Sequence, residues 1–212
     1  MSNLSDVIGG ANLFGGVNYS FVPDRFCSPN SAIYFNKGHL QVPSGVYVSG
    51  DFTVTAWIYL KSYQQSSRIF DFGNGKESDN IFIRINTPFI SLNGFTYIGN
   101  SQSQVNASST INLNEWYFIS FVLSGTTGFI YVNGSKVGSG TLKVPNNIIR
   151  TSNYIGKSNW GNQNADAVYD EIKIYQVALS SNNIMKEYRN SSNNSKLNLF
   201  KIFKLVNLIN LI

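Results

Sequence analysis

A repeat of two residues runs through most of this chain, and it limits the fold more than any other feature. Phe52, Val54, Ala56, Ile58 and Leu60 alternate with Thr53, Thr55, Trp57 and Tyr59. Successive strand side chains point to opposite faces, so this segment reads as a strand buried on one face and partly covered on the other. Ile81, Ile83 and Ile85 alternate in the same way with Phe82 and Arg84. Trp116–Leu123, Gly128–Val132 and Tyr169–Tyr175 read as further strands, rich in β-branched and aromatic residues. Asn93-Gly94 and Asn133-Gly134 fall between such runs. Asn-Gly accepts the positive φ of a type I′ turn, so both predict tight hairpins. Asn74-Gly75, inside the polar stretch 73–80, reads as a longer loop. Helical periodicity is nearly absent before Ser180. Beyond it, Ser180 or Ser181 caps a short helix whose Ile184, Met185 and Tyr188 share a face. The expected fold class is all-β: an antiparallel two-sheet β-sandwich (jelly roll), with a short C-terminal helix after the last strand.

The formal net charge of +5 on 212 residues would ordinarily point to an acidic partner. Its distribution argues otherwise. Lys196, Lys201 and Lys204 sit in a closing stretch, Lys196–Ile212, that contains no acid. What precedes it is nearly neutral and carries no basic stripe, so nucleic acid is not expected as a partner. In that tail Asn198, Lys201, Lys204, Asn207 and Asn210 recur every third residue, which spirals the polar face around a helix. The tail reads as a low-complexity extension, with membrane contact expected only if it serves as an anchor or docking helix. Three segments follow: residues 1–30 as an opening segment packing on the domain, 31–192 as the domain, and 193–212 as an apolar, basic tail. The first 26 residues lack a basic stretch followed by an apolar run, so no secretory signal is recognised, and N-x-[ST] triplets occur about as often as chance predicts. One cysteine, Cys27, leaves no internal disulfide, and one histidine, His39, leaves no two-histidine metal site.

The ordered strand blocks resemble a known family. Ala32-Ile33-Tyr34-Phe35 with His39-Leu40-Gln41-Val42-Pro43, then Asp51–Ile58, Ile69–Gly73, Asn114–Ile119, Ile130–Gly134, Tyr154-Ile155-Gly156 and Asp170–Ser180 are similar, in order, to the strands of laminin-G-like jelly rolls. These belong to the concanavalin A-like lectin/glucanase superfamily. The resemblance spans about residues 31–188. It implies two packed antiparallel sheets with function in rim loops or on a sheet face, and an extracellular setting by family resemblance only.

That superfamily includes retaining glucanases, which need two carboxylates about 5–5.5 Å apart. The one acid cluster is Asp166, Asp170 and Glu171. Adjacent strand residues point to opposite faces, and Asp166 lies too far from Asp170, so no catalytic pair is expected. Asp170 shares parity with Ile172 and Ile174 and is expected beside the core, hydrogen-bonded or paired. It is either a structural residue or a calcium ligand. Calcium takes six to eight oxygens, and two loops offer them: Asp71, Asn74, Glu77, Asp79 and Asn80, and Asn159, Asn162, Asn164 and Asp166. The metal candidates are Asp79, Asn80, Asp166 and Asp170, with Ca²⁺ the only cofactor considered. The loop 157–164 is the leading binding candidate, because Trp160 offers a flat apolar face and Asn159, Asn162 and Asn164 offer amides toward hydroxyls. Trp57 and Trp116 are expected in the core. The sequence therefore predicts a non-catalytic module that binds a glycan or a protein ligand. The alternative is a structural or oligomerising sandwich without a small ligand.

Overall fold

The computed structural model describes residue 4 and residues 11–86, 91–193 and 203–206. The alternating segments do form strands. β3 (Phe52–Leu60) lies at the centre of a front sheet, between β8 (Trp116–Ser124) and β12 (Ala165–Tyr175). β9 (Thr127–Val132) and β10 (Ser135–Thr141) extend it on the β8 side, and β2 (Ala32–Val42) on the β12 side. The back sheet runs from β2 through β11 (Ser152–Ile155), β4 (Arg68–Gly73), β5 (Ile81–Asn86) and β6 (Ser91–Ile98) to β7 (Ser101–Thr110). β2 serves both sheets. Phe35 pairs with Ala167 of β12, and five residues later Leu40 pairs with Ile155 of β11. β1 (Phe14–Val22) lines the other side of β2, so part of the opening segment is itself a strand. At the far edges Ser108 Oγ donates to the Val137 carbonyl at 2.9 Å, bringing β7 and β10 together. The sheet is therefore almost closed, which leaves little free edge for another chain to pair with.

The core lies between the two sheets, where Phe52, Ile58, Phe121 and Tyr169 meet Phe70, Phe72, Ile83 and Leu92. Phe52 and Phe121 meet edge to face at 5.3 Å. A second cluster explains why both parities of β3 are apolar. Trp57, Phe118 and Tyr175 on the outer face of the front sheet are covered by helix α1 (Ser181–Asn193), through Ile184 and Tyr188, and by Leu179 just before it. Ser180 caps that helix by accepting from the Asn183 N–H at 3.2 Å, as the sequence suggested. Burying Ile184 completely contributes roughly 1.5–3 kcal/mol.

Three expectations need correction. Asn133-Gly134 does form the β9–β10 turn, with φ of 50° and 78°. Asn93-Gly94 does not turn: β6 runs straight through it. Gly94 is there because a Cβ would lie 2.6 Å from the Phe121 ring, and the hairpin turn comes instead at Gly99, with φ +55°. Second, Asp170 is not in the core row. Glu171, at φ 46°, is the extra residue of a bulge between Asp170 and Lys173. The parity changes there, so Tyr169, Ile172 and Ile174 face the core and Asp170 faces away. Third, Trp116 is only partly buried, on the outer face beside Tyr59, although Trp57 is buried as expected.

Asp170 is paired instead. The Arg25 guanidinium bonds Asp170, Glu171 and the Ser191 carbonyl, and lies 4.7 Å over the Trp57 ring. Lys173 continues the network to Glu171 at 3.1 Å and Glu187 at 3.0 Å. Fully buried Arg150 donates to the carbonyls of Asp79, Val48 and Asn146 and so joins three loops.

Within the tail, β13 (Phe203–Val206) pairs in parallel with Ile172–Tyr175 of β12. The remaining tail positions lie outside the described residues. β12 is already held by β3 along this stretch. Ending the chain at Asn194 is therefore expected to leave a cooperative melt, with Tm lowered by a few degrees, on the order of 1 kcal/mol. Calorimetry of the two lengths checks this; loss of the cooperative transition would make the tail part of the fold.

Candidate functional site

The outer face of the back sheet carries a cluster of rings and amides that the core does not use. With Ile81, Ile83 and Ile85 committed to the interior, Phe82 and Arg84 must point outward from β5. Strand register then places their neighbours. Phe82 lies opposite Phe95, Arg84 opposite Asn93, Phe95 opposite Gln104 and Tyr97 opposite Gln102. The Phe82 and Phe95 rings stack at 4.6 Å. Tyr97 donates its hydroxyl to Gln102 at 2.6 Å, and Arg84 Nη2 donates to Asn93 Oδ1 at 3.2 Å. Asn93 Nδ2 passes the chain on to Asn106 at 2.7 Å.

Trp160 closes this face from the side. Its ring is 5.2 Å from Phe82 and 5.5 Å from Tyr97. Its loop is held by Asp71, whose carboxylate accepts the Asn159 N–H at 3.0 Å, the Asn159 amide at 2.9 Å and the Asn80 amide at 3.1 Å. Ser158 Oγ accepts the Trp160 N–H at 3.0 Å and donates to Asn162 at 2.9 Å. Arg68 lies beneath, 4.3 Å over Phe82 and 5.5 Å from the Trp160 ring, and Nη2 donates to Asn162 at 3.3 Å. The result is a groove of about 360 Å³ lined by Arg68, Phe82, Arg84, Tyr97, Trp160 and Asn162, with Phe95, Gln102, Gln104 and Ser66 completing it.

Electrostatics follow from the burial. Burial lowers the Arg68 pKa to about 10, against the pull of Asp71 and with the Arg84 charge pushing the same way. Arg84 is lowered by burial too. Burial raises Asp71, although the Asn159 donors, Arg68 and Asn80 all favour its ionised form. Tyr97 is raised, mainly by burial, and stays a neutral donor. None of the described residues lining the groove is an acid, so they supply no carboxylate pair of the kind glycoside hydrolysis uses.

Of the four residues expected to bind ligand, Trp160 and Asn162 line the groove. Asn159 is a buttress behind it, and Asn164 donates to the Lys37 carbonyl at 3.3 Å. Most of the lining comes instead from strand positions that the sequence reading passed over. The signal was there in Phe82 and Arg84, an aromatic and a cation interleaved with three core isoleucines.

The four metal candidates are not gathered. Asp79 accepts from the Gly99 N–H at 3.0 Å and the Asn146 amide at 2.9 Å. Asn80 bonds Asp71 and the Ser78 N–H. Asp166 accepts from Tyr34 and Ser62, and Asp170 is held by Arg25. No group of three or more His, Cys, Asp or Glu among the described residues is placed to hold a metal ion. A second groove, of about 500 Å³ between Tyr34, Tyr59, Lys61, Trp116 and Val168, lies on the front sheet. It offers fewer polar groups.

A family model described as the concanavalin A-like lectin/glucanases superfamily matches residues 35–185. No curated protein matches the chain in sequence. Solved structures share the fold. Domain 4 of AbnA, an extracellular arabinanase from Geobacillus stearothermophilus, was solved with arabinotriose; it has a TM-score of 0.68 at 17% identity, over 87% of this chain and 92% of that one. The binding domain of Paraclostridial Mosquitocidal Protein 1 has a TM-score of 0.63 at 18% identity, over 87% of this chain and 48% of that one. The binding domain of Botulinum Neurotoxin DC, solved with SialylT, gives 0.62 at 15% identity, over 85% and 47%. The chain thus spans about half the length of these toxin domains.

Proposed function

The chain belongs to the concanavalin A-like lectin/glucanases superfamily, and from that premise we propose that it is a non-catalytic module that binds a glycan in the groove over β4–β7. One observation carries the reading. Trp160, Phe82 and Tyr97 form an aromatic wall, and Arg68, Arg84, Asn162, Gln102 and Gln104 line the same groove with hydrogen-bonding groups. A sugar ring presents apolar C–H faces and a rim of hydroxyls, and this pairing suits both. The arabinotriose and SialylT complexes of two proteins of this fold support the class of ligand. The absence of any acid among the lining residues supports binding without hydrolysis.

Trp160→Ala removes one wall of the groove while leaving the core between the two sheets untouched. Glycan binding, measured on an array and then by calorimetry, is expected to weaken at least tenfold, as loss of one stacking ring at a hot spot costs about 2 kcal/mol. An unchanged affinity, or a wild-type protein that binds no glycan and forms stable dimers in sedimentation, overturns the reading. Binding is expected to survive EDTA, because the hydrogen-bonding groups among the described lining residues are arginines, amides and hydroxyls, with no carboxylate of the kind Ca²⁺ takes.

A further inference from the structure

The groove holds more positive charge than it neutralises. Arg68 faces Asp71, with Nε 3.6 Å from Oδ2, and also donates to the Ser66 carbonyl and Asn162. Arg84 has a neutral partner only, Asn93 Oδ1 at 3.2 Å. Its Nε is buried and has no acceptor among the described residues. Asp71 is fully buried and already accepts from Asn159 and Asn80, so it has little to offer a second arginine. An arginine in a protein keeps its proton. A half-buried charge without a counter-charge gains from an anion brought beside it, so this charge is available to a ligand.

The geometry presents it usefully. The Arg84 guanidinium lies 4.8 Å over the Phe95 ring, which fixes its plane. A planar guanidinium pairs with a carboxylate or sulfate through two parallel N–H···O bonds, which a hydroxyl cannot match. We propose that the groove selects an anionic sugar, one bearing a carboxylate or a sulfate, and that Arg84 receives the anionic group while Trp160 packs on the sugar ring. This inference rests on the glycan reading above.

The test is an array of neutral, carboxylated and sulfated glycans probed with the full chain, followed by calorimetry on the bound class. The acidic glycans are expected to bind at least about tenfold tighter than neutral ones of the same backbone, as a hydrogen bond to a charged group gives about 1.5–3 kcal/mol. Whether the carboxylated or the sulfated features respond tells the two sources of charge apart. Arg84→Gln is expected to erase the preference, so that acidic and neutral glycans of the same backbone bind that variant with equal affinity. Arg84→Lys, which keeps the charge without the fork, should retain part of it. Raising NaCl to 0.5 M on the wild-type protein should weaken the acidic glycans selectively, a readout independent of whether a variant folds. Equal binding of neutral and acidic glycans, or a preference that survives in Arg84→Gln, overturns the anionic inference and leaves the glycan reading standing. Failure of the wild-type protein to bind any glycan overturns both.

Discussion

Replacing Arg25 with methionine is expected to lower the unfolding free energy by about 3–5 kcal/mol at neutral pH. Methionine keeps part of the aliphatic stem but removes the guanidinium, which lies over the Trp57 and Phe26 rings. Asp170 then remains buried with its counter-charge gone. Glu171 keeps Lys173 and is less affected. The effect depends on pH. Burial raises the Asp170 pKa to about 7 in the folded protein, with Arg25 opposing the rise; in the unfolded chain an aspartate titrates near 3.9. A folded pKa above the unfolded one means the native state binds the proton more tightly. The associated stability is fully present below about pH 4 and is lost as pH rises toward 7. Without Arg25 the folded pKa rises further, so the variant keeps losing stability above pH 7, where the wild type has levelled off. Urea melts at pH 5.5 and pH 8 should therefore show a larger deficit at pH 8. A deficit equal at both, or larger at pH 5.5, would show that Arg25 acts through packing alone.

This network also marks where sequence reasoning reached and where it stopped. Alternation read correctly through β3 and β5, because a strand with one face against a core repeats with a period of two. It failed at Asp170 because one residue, Glu171, takes a left-handed backbone and turns the following parity over. Nothing in a glutamate announces a bulge. Asn93-Gly94 failed for a different reason. The same dipeptide serves a turn, where glycine gives backbone freedom, and a crossing point, where it makes room for Phe121. Only the opposite sheet tells the two apart. The groove was half legible. Trp160 and Asn162 stood out as a loop motif, but Arg68, Phe82, Arg84 and Tyr97 come from three strands whose adjacency is a matter of register. Arg25 and Asp170, 145 residues apart, were beyond any local pattern.

Asp71→Ala is expected to damage the fold and the groove together. Asp71 sits on β4 with its carboxylate fully buried, and the Trp160 loop hangs from it through both the backbone and the amide of Asn159. Alanine leaves those two donors, the Asn80 amide and the Arg68 guanidinium facing an empty acceptor position. Each unsatisfied buried group costs about 1–3 kcal/mol, and Arg68 also loses its carboxylate partner. A destabilisation of about 3–5 kcal/mol follows, comparable to breaking a buried ion pair. The loss of binding should exceed that of Trp160→Ala, because the loop that positions Trp160 and Asn162 loses its anchor on β4. Asp71→Asn separates the two roles. Its amide fills the same space and still accepts through one oxygen, but it brings a donor toward the donors of Asn159 and Asn80 and lacks the charge that Arg68 needs. It should fold with intermediate stability and bind more weakly than the wild type. If Asp71→Asn matched the wild type in both melting temperature and glycan affinity, the carboxylate would not be what holds the loop. Trp160 would then have to be positioned by its ring contacts with Phe82 and Tyr97 alone.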